Sequence, residues 1–394
     1  MPPLHVIVLA AGKGKRMHSD LPKVLHPLAG RPLLAHVVDT VSGLDAAEIH
    51  VVHGHEGEQV RAYFGESPIR WMVQEEQLGT GHAVKQAMPG VTDDATVLIL
   101  YGDVPLVRGE TLRAACEPAA SGTIGLVTAT VENPNGLGRV IRDENEKVLG
   151  IVEHKDADSE QRSIREINTG IIAAPAAMLR RWVDALANDN VQGEYYLTDV
   201  IAMAVAEGVR VHTVSPATED ETHGVNDRVE LSRLERIYQQ RQAEVLMRAG
   251  VTLSDPARLD VRGSVDAGRD VHIDVNVILE GRVRIGDRVR VGPNCVLKDV
   301  EIGAGTEILP NCVVESAIVG DQCRIGPYAR IRPGTRLARA VHIGNFVEVK
   351  ATTVGEGSKA NHLTYLGDAE IGAGVNVGAG TITCNYDGAN KHRT

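Results

Sequence analysis

The chain has 394 residues, a formal net charge of -11, and 43% apolar but only 3% aromatic residues. This length exceeds what one hydrophobic core usually supports, so two domains are expected, and the charge argues against a nucleic-acid partner while permitting local cations around a small phosphorylated ligand. No run approaches the ~20 apolar residues of a membrane span, and the opening MPPLHVIVLAAGKGKRM reaches a Gly/Lys loop too soon for a signal sequence, so a cytoplasmic location without membrane contact is expected.

In chain order, HVIVLA (5–10) reads as a short buried strand feeding a loop that contains Gly12 and Gly14. Within LAAGKGKRM (9–17), backbone N–H groups can approach phosphate oxygens while Lys13, Lys15 and Arg16 supply charge. The loop lacks the third glycine of G-x-G-x-x-G and the GK[ST] ending of the Walker motif, which argues against a dinucleotide oxidoreductase or a P-loop NTPase. Helical patterns at 31–43 and 81–88 lie between this first strand and a second apolar run, VLILYGD, that ends at Asp103. An acid at the carboxyl end of a buried strand faces the crevice where α/β sheets bind ligands and suits Mg²⁺, although such an Asp can also merely cap the next segment. The histidines at 50, 53 and 55 lack a matching ligand cluster and read as a surface turn, and Arg180-Arg181 as a solvated helix face.

Strand and helix signals alternate to about residue 226, which predicts an α/β domain over 1–226. A helix is expected over 227–250, with Val229, Leu231, Leu234, Ile237, Val245 and Leu246 on its apolar pattern and Gly250 at its end. Beyond Pro256 an aliphatic residue precedes glycine again and again, as at Ile285, Val291, Ile302, Val319, Ile325, Ile343, Val354, Ile371 and Val377. Steps of six within this series predict a hexapeptide-repeat β-helix over 251–394, with aliphatic residues stacked inside. Residues 355–370, GEGSKANHLTYLGDAE, read as an interruption of the repeat that gathers His, Tyr, Asn and Lys. Cys116, Cys295, Cys312, Cys323 and Cys384 are odd in number and lack metal or CxxC spacing, so they are expected to be packing thiols.

The stretch LAAGKGKRMHSDLPKVLHPLAGRP (9–32) matches the signature of sugar-nucleotide pyrophosphorylases, and QEEQLGTGHA (74–83) and YGDVPL (101–106) are similar to further elements of that family. Over essentially its whole length the chain resembles the family of bifunctional N-acetylglucosamine-1-phosphate uridylyltransferases/glucosamine-1-phosphate N-acetyltransferases. The resemblance implies a Rossmann-like mixed-sheet α/β nucleotidyltransferase followed by a left-handed parallel β-helix. It implies that Leu9, Ala10, Ala11 and Gly12 line the nucleotide, with Tyr101 and Gly102 beside it, and that Gln74, Gly79 and Thr80 read uracil and ribose. By the same resemblance Lys23 and Arg16 serve the phosphates, Gly138, Glu153 and Asn168 touch the sugar, and Asp103 and Asn226 hold Mg²⁺. Lys15 departs from the small hydroxylated residue that relatives often carry there.

For the second domain the resemblance implies that His362 is the base that deprotonates the amine of glucosamine 1-phosphate. Arg332 and Lys350 then contact phosphate, Tyr365 and Asn376 the sugar, and Ala379, Asn385 and Tyr386 acetyl-CoA. An imidazole suits that proton transfer, because its ordinary titration lies near neutrality. The implied substrates are UTP, N-acetylglucosamine 1-phosphate, glucosamine 1-phosphate and acetyl-CoA, and the implied assembly is a homotrimer packed through the β-helix. Relatives continue through further coils beyond Thr394, so acetyl transfer by this form is expected to be deficient while uridylyl transfer is kept.

Overall fold

In the computed structural model, which describes residues 2–54 and 57–394, the chain divides into two units, 1–234 and 235–394. Apolar strands build the sheet of the first. Its main path runs Val211–Val214, Ile124–Thr130, Glu166–Pro175, Thr96–Tyr101, Leu4–Ala10, Glu48–His53, Ile69–Val73. Leu4–Ala10 lies parallel to both Glu48–His53 and Thr96–Tyr101, whereas Glu166–Pro175 is antiparallel to its neighbours, so the sheet is mixed.

Side chains alternate across the central strands and both faces are covered, which is why these strands read as unbroken aliphatic runs. Ile7, Leu9, Val97 and Ile99 pack on one side with Ala83, Val84 and Ala87 of the helix Thr80–Ala87. Val6, Val8, Leu98 and Leu100 pack on the other with Leu34, Val37 and Val41 of the helix Leu33–Ser42. The loops that follow the parallel strands therefore gather at one edge, where such sheets bind ligands.

The helix Arg228–Arg248 departs from the expected apolar pattern. Leu234, Gln239, Ala243 and Leu246 are its buried positions, while Val229 and Val245 are exposed. Gln239 is buried because its amide serves the backbone of Val261 in both directions, donating to the carbonyl at 3.0 Å and accepting from the N–H at 2.6 Å.

The second unit is the left-handed parallel β-helix. Successive coils stack Ile273, Val291, Ile308, Ile325, Ile343, Ala360 and Val377 in register along one sheet. The aliphatic residues that precede glycines at 285, 291, 302, 319, 325, 343 and 354 are buried, whereas Ile371 and Val377 are only partly covered. Residues 355–370 do not interrupt the coils. Glu348 pairs with Tyr365 and Val349 with Leu366 in the ordinary parallel register, with Ala360 and Leu366 turned inward. Their small hydroxylated neighbours are accommodated by hydrogen bonding: Ser358 donates to the carbonyl of Gly372 at 2.6 Å and Thr364 to that of His362 at 2.7 Å.

The thiols of Cys295, Cys312 and Cys323 are buried within these coils, while Cys384 is exposed and so is no packing thiol. Burial pushes Cys116 up to about 12. Among the described residues no helix is long and apolar enough to cross a membrane. Because Ile325 is fully buried between stacked neighbours, Ile325→Ala should destabilise the β-helix by about 2–5 kcal/mol, the usual range for emptying a packed core position. Urea unfolding followed by circular dichroism measures it.

Candidate active sites

The glycine loop leaves the strand Leu4–Ala10, and its backbone turns sharply at Gly14, whose φ of 56° lies in the left-handed region. A Cβ at Gly14 would come within 2.7 Å of Lys23 Cβ, so the residue is small because Lys23 crosses directly over it. The Lys23 ammonium then reaches the Asp103 carboxylate and forms an ion pair with it, with only 13% and 16% of the two side chains exposed. Asp103 stands two residues past the strand Thr96–Tyr101, and its carbonyl accepts from Val225 N–H at 2.9 Å, which fastens Asn226 beside it.

These contacts frame a cavity of about 400 Å³ lined by Leu9, Ala10, Ala11, Gly12, Lys23, Gln74, Gly79, Thr80, Tyr101, Asp103 and Asn226. Gly102 backs it, with its N–H on the carbonyl of Leu9. Gln74 is buried and held in place, its amide donating to the carbonyl of Gly79 at 3.1 Å and lying 3.1 Å from His82 Nδ1. Gly79 has φ 110°, and a Cβ there would meet the carbonyl oxygen of Tyr195 at 2.7 Å, so only glycine fits this turn into the helix Thr80–Ala87.

Gly138, Glu153 and Asn168 form a second cluster. Asn168 N–H donates to the carbonyl of Gly138, and a Cβ on Gly138 would sit 3.4 Å from a Glu153 oxygen. Glu153 accepts from Thr198 Oγ1 at 3.1 Å, and burial raises its carboxyl above the usual range. Tyr101 joins the two groups. Its hydroxyl is pushed up chiefly by burial, then by the charges of Glu153 and Asp103, while its ring packs where a Cβ of Gly170 would stand.

Arg16 is exposed on the short helix Lys15–Met17 and is not among the residues lining this cavity; Lys13 lines an adjoining cavity of about 500 Å³ that shares Ala10, Ala11 and Gly12. Four further lining residues were not singled out from sequence: the apolar Val24 and Ala83 and the polar Gln77 and Glu194. Gln77 hydrogen-bonds the carbonyl of Ala11 from within the quoted segment 74–83. Glu194 arrives from a loop docked by Tyr195, whose N–H donates to the carbonyl of Leu78 and whose carbonyl accepts from Gly81.

The histidine reading is corrected for two of its three members. His50 and His53 are buried in the strand Glu48–His53, not in a surface turn, and His55 lies outside the described residues. Burial first, then the neighbouring His5, lowers His50 to about 4. Arg180 is also no free surface cation, since it pairs with Asp93 and donates to the carbonyls of Met88 and Val91.

In the β-helix, neighbouring coils bring Arg332, Lys350, Tyr365 and Asn385 into adjoining positions. Arg332 pairs with Glu348 at 2.7 Å and Lys350 with Asp368 at 3.0 Å. Lys350 is level with Gly367, against which the Tyr365 ring packs, and the Asn385 amide donates to the carbonyl of Gly367. His362 ends the strand Lys359–His362 on a different sheet, level with Asn345, and is exposed; Asn376 continues that sheet. Ala379 and Tyr386 are exposed, and the Tyr386 hydroxyl donates to the carbonyl of Gly388. The structure therefore brings four of the eight acetyl-transfer candidates together and holds His362 and Asn376 on a neighbouring face.

Residues 6–214 match the MobA-like NTP transferase domain family, and residues 261–361 match the GMPPB C-terminal domain family. The chain is 58% identical over 391 residues to the Bifunctional protein GlmU of Alkalilimnicola ehrlichii, covering 99% of this chain and 84% of that one. It is 57% identical over 391 residues to the protein of the same name from Paraburkholderia phytofirmans, covering 99% and 86%. To that from Marinobacter nauticus it is 56% identical over 394 residues, covering 100% and 87%.

Proposed function

Because this chain belongs to the GlmU family of bifunctional proteins, we propose that it makes UDP-N-acetylglucosamine in two steps. Acetyl-CoA acetylates the amine of glucosamine 1-phosphate, and the N-acetylglucosamine 1-phosphate so formed takes a uridylyl group from UTP with release of pyrophosphate. Uridylyl transfer is assigned to residues 1–226 and acetyl transfer to 251–394, with 227–250 as the connection. The observation that carries the first assignment is the convergence of distant segments, from Leu9–Gly12 through Gln74, Thr80 and Asp103 to Asn226, on one cavity.

Asp103 and Asn226 both line that cavity and both offer oxygen, the donor that Mg²⁺ takes together with substrate phosphates, so they fit that ion. Bound there, Mg²⁺ would offset charge on the transferring phosphoryl group. The chain's own part is positioning. Backbone N–H groups of the glycine loop and the Lys23 ammonium bind UTP, while Gly138, Glu153 and Asn168 orient the sugar phosphate for in-line attack on the α-phosphorus. Arg16, exposed at the rim, would act only by swinging in over the phosphates. In the β-helix His362 would accept the amine proton, with Arg332 and Lys350 turning from their carboxylate partners to the sugar phosphate.

The β-helix also carries an exposed apolar column. Tyr328, Phe346 and Leu363 are 52%, 59% and 66% exposed on successive coils, and the first two rings stack at 5.3 Å. Such a column supports packing of the β-helix against further copies of the chain, and the assembly assigned is a cytoplasmic homotrimer.

The test is pyrophosphate release by the purified protein with Mg²⁺, UTP and N-acetylglucosamine 1-phosphate, run against other sugar phosphates and nucleotides. Preference for this pair is expected, and a different preferred pair overturns the reading. Thr198→Val should shift the acid limb of the kcat/KM profile for the sugar phosphate to higher pH. The lost hydrogen bond favours the ionised Glu153, so without it the carboxyl gains its proton at a higher pH.

A further inference from the structure

Three side chains unused by either reaction meet at the opposite end of the sheet from the cavity. His5 pairs with Glu48 across the parallel strands, and His50, two residues on, lies on the same face. His5 Nδ1 is 3.3 Å from His50 Nε2 and 3.8 Å from Glu48 Oε2, and the last two atoms are 3.4 Å apart. The His5 and His50 rings stack at 5.5 Å, and both side chains are more than nine-tenths buried.

A hydrogen bond between the two imidazoles accounts for one of these separations and leaves Glu48 Oε2 buried with no hydrogen-bond partner, a costly state for a carboxylate oxygen. An ion at the centre satisfies all three atoms. A point about 2.0 Å from each reproduces the three separations, and that is the length of Zn–N and Zn–O bonds. Glu48 is held for the task by its other oxygen, which pairs with Arg70 on the next strand.

We propose that His5 Nδ1, His50 Nε2 and Glu48 Oε2 form a site for one divalent transition-metal ion of the zinc class, tying two strands together and separate from the nucleotide cavity. Two imidazoles and one carboxylate oxygen suit such an ion better than Mg²⁺, which prefers oxygen alone.

The test uses the full chain without a histidine tag, titrated with Co²⁺ in excess Mg²⁺ so that oxygen-rich sites are filled. The expected result is uptake of one Co²⁺ with the visible bands of a low-coordinate imidazole complex, displaced by Zn²⁺. His5→Val and Glu48→Gln should each weaken uptake at least about 100-fold, since losing a ligand should cost no less than losing a ligand's hydrogen-bond support. Both should retain uridylyl transfer, which reports that they fold. Absence of those bands in the wild-type protein overturns the site whatever the variants do. Bands that persist unchanged in folded variants assign the metal to other residues and overturn it equally.

Discussion

Asp103→Asn is expected to lower uridylyl-transfer turnover by about a hundredfold or more, the scale on which removing one charge-stabilising group acts in phosphoryl chemistry. The amide keeps the size of the side chain and one oxygen, so what is lost is the negative charge. That charge has two uses: it compensates the Lys23 ammonium at a site where both side chains are mostly covered, and it is the anionic half of the Asp103–Asn226 pair of oxygen donors. Mg²⁺ dependence separates them: loss of a metal-ligand charge raises the Mg²⁺ concentration needed for half-maximal turnover, whereas a misplaced Lys23 lowers turnover without moving that midpoint. Turnover should be measured across Mg²⁺ concentrations, and near-normal turnover in Asp103→Asn removes this residue from the metal assignment.

What could be read from sequence follows from how local each signal is. The strands Leu4–Ala10 and Thr96–Tyr101 were legible because a parallel strand covered on both faces is a continuous aliphatic run. The β-helix was legible because each coil repeats an aliphatic residue before a corner glycine. The same logic explains the error at His50 and His53: polar residues at the end of an apolar run look like a turn, yet here the strand continues and buries them, with Gly90 leaving room for the His50 ring. Segment 355–370 looked like a break because it gathers Lys359, Asn361, His362 and Tyr365, while its inward positions Ser358, Ala360 and Thr364 are small or polar. The backbone carbonyls of Gly372, on the next coil, and of His362 satisfy the Ser358 and Thr364 hydroxyls, so the coils run on.

Within the nucleotide cavity, Leu9–Gly12 and Asp103 were legible as contiguous motifs, whereas Glu194 was not. It reaches the cavity only because Tyr195 docks on Leu78 and Gly81, more than a hundred residues earlier, and no local pattern encodes that meeting. The helix Arg228–Arg248 failed at Val229 and Val245 for a related reason. A buried glutamine, Gln239, takes an inward position that a hydrophobicity pattern assigns to an apolar residue.

His362→Ala should reduce acetyl transfer by about 10²–10⁴-fold, the usual contribution of a positioned general base, and leave uridylyl transfer unchanged. The substitution is structurally mild. His362 is exposed, and what its position gives the coil comes from the backbone, whose carbonyl accepts from Thr364 Oγ1 at 2.7 Å, so alanine removes the ring and keeps the coil. A large loss therefore reports chemistry. The argument for separability is that the two groups of candidate residues belong to different units of the chain, 1–234 and 235–394, each with its own buried core. The measurement is acetyl-CoA-dependent thiol release from glucosamine 1-phosphate, at an enzyme concentration high enough that even a slow parent rate leaves a window, beside pyrophosphate release from the same preparation. Unchanged thiol release would remove His362 as the base. Loss of both activities in a protein that still melts like the parent would break the assignment of one reaction to each unit, because an exposed ring on a β-helix coil would then be governing a cavity built from Leu9, Asp103 and Asn226.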